Sequence, residues 1–290
     1  LGEEKERLSF TTISGPRQVV WGGTTKDPLL IVGQDSLNGL AFNWFRLISG
    51  EVGTTTSSQL TGSSTPNSYY TFSSNPSKSK VVSLGRDKGI VTLYLSDFFF
   101  TKPEKLSSLD FGDWKLNWFK EDLVALETRA SSLFPGSLYF FNLKTKALDK
   151  IIGGINGLVT NISPDGNYII YSGMEGDRLS TYLYNLKNGT KTLLTFNTLA
   201  DKCSWSYNSK VVYCAVPQNL PRGQYPDSWY KGLLSTTDDF WQVEIASSTT
   251  KIIAETGRIG AFDVYRPFLD LEGETLFFIN KKDLSLWSFD

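Results

Sequence analysis

The stretch Ile162-Ser-Pro-Asp-Gly-Asn-Tyr-Ile-Ile-Tyr171, followed by Thr181-Tyr-Leu-Tyr-Asn-Leu186, decides the architecture. It reads as the end of an apolar strand, a Pro-Asp-Gly turn, a second strand, and a third strand closed by a polar residue. Pro, Asp and Gly punctuate because each favours turn backbone for its own reason: a fixed φ, a side chain that bonds its own backbone, and freedom at positive φ. The closing polar residue can be followed along the chain as Asp97, Asn142, Asn185, Glu244 and Asp290. Its spacing stays at roughly 45 residues except in one copy stretched by an insertion, and a period of that size with several short strands per unit marks a β-propeller.

Six copies can be placed. Their strands fall at residues 17–21, 29–32 and 40–47; 69–72, 80–84 and 90–95; 115–118, 123–126 and 137–143; and the copy quoted above. The fifth is a cysteine hairpin followed, after the insertion, by residues 240–245; the sixth has strands at 264–268, 274–279 and 284–289. Alternation is mixed with short continuous apolar runs, as expected when both faces of a sheet are covered by neighbours. An irregular β-sandwich would have no fixed period. The expected fold is therefore all-β, a propeller of six four-stranded blades. The sixth copy stops at Asp290 one strand short, while Leu8-Ser-Phe-Thr-Thr-Ile13 alternates at the other end. Pairing that segment with the last blade would close the ring and remove an open edge. Residues 1–7 then read as a charged linker, and 8–290 as one propeller domain.

Composition narrows function without naming it. With Lys+Arg 29 against Asp+Glu 30, the formal net charge is −1, which gives no general pull toward nucleic acid or anionic lipid. No stretch approaches the ~20 apolar residues that span a bilayer. A first residue of Leu1 rather than Met reads as the trace of a missing N-terminal segment, either a signal or anchor or a trimmed end. There is no histidine, which disfavours Ser-His-Asp and Cys-His catalysis, most zinc and copper sites, and the usual general base near neutral pH. Neither a Gly-x-Ser-x-Gly elbow nor a Gly-x-x-x-x-Gly-Lys-Ser/Thr phosphate loop is present. No cofactor is expected, and no metal site, because Asp110 and Asp165 read as turn residues rather than members of a dense oxygen-ligand set. Carboxylate-pair hydrolysis needs only two acids. Glu121, Asp122, Glu127 and Asp263 are its candidates, each reading more simply as a turn or salt-bridged residue.

Cys203 and Cys214 flank the turn Asn208-Ser209. If that turn is a two-residue hairpin, counting outward from it sets the two cysteines opposite one another, close enough to bridge. The alternatives are a cross-strand disulfide and two buried thiols. A bridge would fit an oxidising compartment and contribute ~3 kcal/mol at most through its short loop.

Residues 217–239 lengthen one connection well beyond the usual span, and long ordered loops are disproportionately functional. Arg222, Tyr225, Trp229, Tyr230 and Lys231 lie there among Pro217, Pro221 and Pro226. Tyr, Trp and Arg anchor interfaces and also stack on sugar rings, so these five are the candidate binding residues. The same aromatics would equally serve a loop that folds back and plugs the ring. The Ser/Thr-rich stretch 53–66 reads as a solvent-facing connection with an outer strand at its start.

The signature Ser163-Pro-Asp-Gly-Asn167 with Tyr168-Ile-Ile-Tyr171 resembles the WD40-like (PD40) repeat of TolB-like propellers. Asn75-Pro76, Glu121-Asp122, Asn208-Ser209 and Glu272-Gly273 are degenerate versions of its turn. The stretch Pro217-Gln-Asn-Leu-Pro-Arg-Gly-Gln-Tyr-Pro-Asp-Ser-Trp-Tyr-Lys-Gly-Leu233 is similar to an insertion in propellers of candidate-phyla bacteria that carry an N-terminal membrane anchor. The resemblance implies an extracytoplasmic, membrane-tethered domain and supplies no activity. The expected function is a non-catalytic platform that binds a protein or envelope component through the fifth-blade insertion. The alternative is a carbohydrate-binding or carbohydrate-active propeller using channel carboxylates and the aromatic loop, so a glycan is the second partner class.

Overall fold

The computed structural model describes residues 16–24, 27–36, 39–49, 55–60, 68–110, 112–270 and 272–289. The N-terminal strand expected at residues 8–13, and with it the proposed ring closure, lies outside them, as does the linker 1–7. Twenty-three strands are present among the described residues, in six antiparallel sheets whose strands run in chain order.

The first sheet is β1 (Pro16–Thr24), β2 (Asp27–Ser36), β3 (Gly39–Ser49) and β4 (Thr55–Leu60), so the Ser/Thr-rich stretch does supply an outer strand. The second is β5 (Ser68–Ser74), β6 (Lys80–Asp87), β7 (Ile90–Asp97) and β8 (Glu104–Leu109). The third is β9 (Trp114–Lys120), β10 (Leu123–Thr128), β11 (Pro135–Asn142) and β12 (Leu148–Asn156). The fourth is β13 (Val159–Ile162), β14 (Tyr168–Glu175), β15 (Arg178–Asn185) and β16 (Thr190–Leu193). The fifth is β17 (Cys203–Trp205), β18 (Val211–Pro217), β19 (Asp238–Glu244) and β20 (Thr249–Ala254). The sixth has three strands among the described residues, β21 (Val264–Leu269), β22 (Leu276–Asn280) and β23 (Ser285–Phe289). The fold is a β-propeller, and these sheets are its blades.

The repeat is legible because its punctuation makes bonds. In the fourth blade Ser163 Oγ donates to Asp165 Oδ1 at 2.6 Å, and the amide of Asn167 donates to the same oxygen at 3.0 Å. Gly166 takes the positive φ the turn needs, +70°. The polar residue at the end of the third strand caps the next turn: Asp97 Oδ1 accepts the Thr101 amide at 2.9 Å, Asn142 Oδ1 the Lys144 amide at 2.9 Å, and Asn185 Oδ1 the Lys187 amide at 2.9 Å. A short side chain that satisfies a backbone donor in a turn is what Asp and Asn do best. One bond recurs in the third, fourth and fifth blades. The amide after the third strand donates to a carbonyl of the earlier turn: Leu143 to Asp122, Leu186 to Asn167 and Ile245 to Lys210, each at 2.9 Å.

By packing, the chain divides into two compact units, one of the described residues up to Leu126 with Phe141–Leu148, the other of Glu127–Phe140 with Asp149–Asp290. The first buries Ile31, Tyr69, Phe72, Val81, Phe98 and Phe100 in one cluster. In the second, Val159, Ile170, Leu183, Trp205, Val212 and Val243 share a cluster with Tyr225 and Trp229 of the insertion. A further cluster is aromatic, with Phe240, Phe262 and Phe278 in tilted and edge-on contact. Side chains of this size bury 150–250 Å² each, so a few of them dominate the apolar term.

Cys203 and Cys214 form a disulfide across the hairpin, with Cα atoms 4.0 Å apart and in register as directly opposed residues. The Ser206 amide donates to the Val211 carbonyl at 2.9 Å, and Ser209 adopts φ +58°. With only 11 residues of separation, the chain-entropy model gives this bridge ~2–3 kcal/mol. Cys203→Ser with Cys214→Ser should lower the unfolding free energy by about that amount in urea titration, and added reductant should make the native protein behave like the double variant. A double variant as stable as the native protein would remove the bridge from the account of stability.

Candidate functional site

The insertion leaves the fifth blade between β18 and β19. Its neck is an ordinary hairpin end: Pro217 faces Asp238, and the Gln218 amide donates to the Thr237 carbonyl at 2.8 Å. Beyond the neck the segment makes a single helical turn, Asp227–Tyr230, where the Tyr230 amide donates to the Pro226 carbonyl at 2.9 Å and Gly232 ends the turn at φ +72°.

Two of the five candidate binding residues face inward. Trp229 is 0% exposed, and Tyr225 is buried with its hydroxyl donating to the Pro221 carbonyl at 2.8 Å. Neither ring is presented to a partner. Both pack in a cluster with residues of the fourth and fifth sheets, because an indole left in water forfeits the largest apolar burial any side chain offers. Arg222, Tyr230 and Lys231 are exposed. The Tyr230 hydroxyl donates to Asp201 Oδ2, which fixes its direction.

Beneath the loop lies a charged cluster that the sequence did not announce. Lys202 ends a short turn, Ala200–Lys202, and is 1% exposed. Its Nζ donates to Thr236 Oγ1 and Asp238 Oδ2, both at 2.7 Å, and to Asp263 Oδ1 at 2.8 Å. Asp263 also accepts from Trp229 Nε1 at 2.8 Å, Thr236 Oγ1 at 3.0 Å and Ser235 Oγ at 3.0 Å. Lys202 Nζ lies 4.8 Å from the Trp229 ring centroid, within cation–π range. One ammonium therefore ties the loop, through Trp229, Ser235 and Thr236, to the start of β19 and to the approach to β21.

The two carboxylates are not equivalent. Burial pushes the Asp263 carboxyl up, but the Lys202 ammonium and the bonds from Lys202, Trp229 and Thr236 outweigh it and hold Asp263 below the usual range. For Asp238 burial wins over the same ammonium and its pKa is raised. Asp238 Oδ1 is buried with no hydrogen-bond partner, so its charge is stabilised from one side only.

The loop is also buttressed from the second compact unit's other turns. The Ser132 amide donates to Asp227 Oδ2 at 2.6 Å, and the Gly157 amide to the Ser131 carbonyl at 2.6 Å. Gly157 sits at φ +66°, and a Cβ there would come within 2.3 Å of the Tyr225 carbonyl oxygen, so only glycine admits this approach. The Ser132 bond sets Leu133 and Phe134 beside the insertion; Phe134 is 70% exposed, and so is Leu233 within the insertion, at 73%. Leu133 and Phe134 carry no period or motif, and only their exposure marks them.

The candidate carboxylates are dispersed. Glu121 accepts from Asn75 Nδ2 at 3.1 Å and the Ser77 amide at 2.9 Å, and the Asn75 bond leads the effects that lower its pKa. Asp122 pairs with Lys144 at 3.6 Å, and buried Glu127 accepts from Thr160 Oγ1. Asp263 is brought beside a second carboxylate, Asp238, through the shared Lys202 ammonium, and both acids are buried. Asp165 is the turn residue described above, and Asp110 is exposed. Among the described residues no group of three or more Cys, Asp or Glu is placed to hold a metal ion.

No protein-family model matches the chain, and no curated protein matches it in sequence. Solved structures match in fold. TolB from Acinetobacter baumannii is 14% identical with a TM-score of 0.51, over 89% of this chain and 57% of its own. The β-propeller domain of the Trilobed protease from Pyrococcus furiosus is 6% identical with a TM-score of 0.57, over 93% and 81%. The Pyrococcus horikoshii acylaminoacyl peptidase is 9% identical with a TM-score of 0.56, over 95% and 45%. This chain thus spans little more than half the length of the TolB structure and less than half that of the peptidase. These likenesses define the fold as a β-propeller, similar to that of TolB.

Proposed function

We propose that this propeller is a non-catalytic, extracytoplasmic platform that binds a protein or envelope component through the insertion at residues 217–239. The observation that carries the reading is the division of labour within the loop. Trp229, Tyr225, Ser235 and Thr236 are spent on anchoring it, while Arg222, Tyr230, Lys231 and Leu233 face solvent. A loop already ordered loses less entropy on binding, and Tyr and Arg are the side chains that most often carry interface energy. Exposed Leu133 and Phe134 extend the surface with apolar area of the kind that marks interaction sites. The Cys203–Cys214 disulfide supports an oxidising compartment. The burial of Asp238 and Asp263 speaks against carboxylate-pair hydrolysis, which needs both acids at the substrate.

The test is capture from the envelope fraction of the source organism, comparing the native domain with Arg222→Ala/Tyr230→Ala/Lys231→Ala. Arg222 and Lys231 are exposed and contribute little to stability, whereas Tyr230 also packs on Trp229 and donates to Asp201, so the melt of the triple variant is compared with that of the native domain before capture is scored. A protein retained by the native domain and lost by the variant is the expected result. The same set retained by both would exclude the insertion as the contact.

A further inference from the structure

A second site, whose lining includes no residue of the insertion, lies where the face of the fourth sheet meets the end of β12. There a cleft of about 340 Å³ is lined by Tyr171, Tyr182, Glu175, Lys191 and glycine backbone. Its charged walls are one carboxylate, Glu175, and one ammonium, Lys191, both exposed. No ion pair among the described residues joins these two.

Both poles are oriented by one residue. Lys191 Nζ sits 3.7 Å from the centroid of the Tyr182 ring, close contact for a cation over an aromatic face. The hydroxyl of the same tyrosine donates to Glu175 Oε1, and Ser180 Oγ donates to Glu175 Oε2 at 3.3 Å. Tyr171 stands directly opposite Tyr182 across β14 and β15 and stacks on it at 5.1 Å, which keeps the ring from turning. Burial, reinforced by the bond to Glu175, raises the Tyr182 phenol above its ordinary pKa, so it stays a donor. Gly154 and Gly176 leave the rim bare, with nothing within 4 Å of where a Cβ would stand.

Opposite charges that line one small cleft around the same tyrosine ring without forming a direct ion pair are complementary to a molecule bearing both signs. The volume lies at the low end of the roughly 300–1,000 Å³ of ligand pockets, which admits a small molecule rather than a polymer. We propose that this cleft binds a small zwitterion, a free α-amino acid, with its ammonium on Glu175 and its carboxylate on Lys191. A purely cationic or anionic ligand would satisfy one pole and face the other uncompensated, and a neutral sugar would hydrogen-bond both poles while neutralising neither; such mismatches are how polar sites discriminate.

Calorimetric titration of the full chain with the proteinogenic L-amino acids, one at a time at pH 7, tests this. Glucose and galactose serve as neutral controls, with the methyl ester and N-acetyl derivative of each amino acid that binds. Saturable binding of at least one free amino acid is expected, at least tenfold weaker for both of its derivatives. Glu175→Gln and Lys191→Met should each weaken it tenfold or more, and Lys191→Arg should retain it. The ligand comparison uses only the native chain and so stands even if a variant folds poorly. Absence of saturation with every free amino acid, derivatives that bind as well as their parent, or a sugar that saturates in place of the amino acids would each overturn the proposal.

Discussion

Lys202→Met should be among the most damaging single substitutions in the chain, lowering the unfolding free energy by about 3–5 kcal/mol, the range for removing one partner from a buried ion pair. The loss comes less from the bonds themselves than from what remains, Asp238 and Asp263 stranded in the interior without a counter-ion. Combining Lys202→Met with Asp238→Asn and Asp263→Asn should recover a large part of that loss, because no buried charge is then left uncompensated. In the native protein the two carboxylates act oppositely with pH, because Asp238, raised by burial, is a penalty at neutral pH that acid relieves; the gap between the two proteins nevertheless has a definite sign. In the native protein Asp263 is held below its unfolded value, near 3.9. Its contribution is therefore present above that pH and lost as pH falls through the depressed folded value. Without Lys202 the folded carboxylates titrate higher, so Lys202→Met is penalised in full at neutral pH and relieved as acid protonates them. Urea titrations across this range should show the gap between the two proteins widest near pH 7 and narrowing on acidification. A gap under about 1 kcal/mol at pH 7, a size typical of exposed pairs, would mean that water reaches the cluster.

Trp229→Ala should cost a comparable ~3–5 kcal/mol, the usual loss on truncating a buried tryptophan. The indole contributes twice, through the area it buries beside Tyr265, at 5.9 Å between ring centroids, and through the bond from Nε1 to Asp263. Trp229→Phe separates the two. It keeps most of the packing and loses the donor, for which a penalty of ~1–3 kcal/mol is expected. Because Trp229 and Lys202 both bond Asp263, the double substitution should fall short of the sum of the singles. Denaturant titration of the set decides the matter, and a Trp229→Ala protein as stable as the native one would show that the loop is not anchored through its indole. Arg222→Ala and Lys231→Ala, on the same loop but exposed, should change stability by less than about 0.5 kcal/mol.

The contrast between those positions marks where sequence reading reaches its end. Trp229 and Arg222 stand in one proline-punctuated stretch, and both are residue types that anchor interfaces. Nothing local says that the first turns inward and the second outward. Lys202 was still less visible. It precedes a strand in Ala200-Asp-Lys-Cys203, a place where lysine is ordinarily solvated, and its partners lie 34 to 61 residues away. A buried lysine is tolerable only when three acceptors converge on it, and convergence belongs to the assembled blades. The cleft beside Tyr182 is similar. Tyr171 and Tyr182 could be paired across β14 and β15 by counting, but Glu175 and Lys191 meet the same ring only through the twist and side-chain directions of the folded sheet.

What the sequence determined by itself is the part written in local, repeated chemistry. Its period, its Asp and Asn turn caps and its apolar strands specify a propeller, of which six sheets stand among the described residues, and hairpin counting sets Cys203 against Cys214, because strand register follows from turn length and the alternation of side chains. What only the tertiary structure decided is the state of the polar residues. Whether Lys202, Asp238, Asp263, Glu175 and Lys191 are buried or exposed, paired or unpaired, depends on groups contributed by distant elements, and electrostatic free energy is set by those neighbours and by access to water, not by residue type.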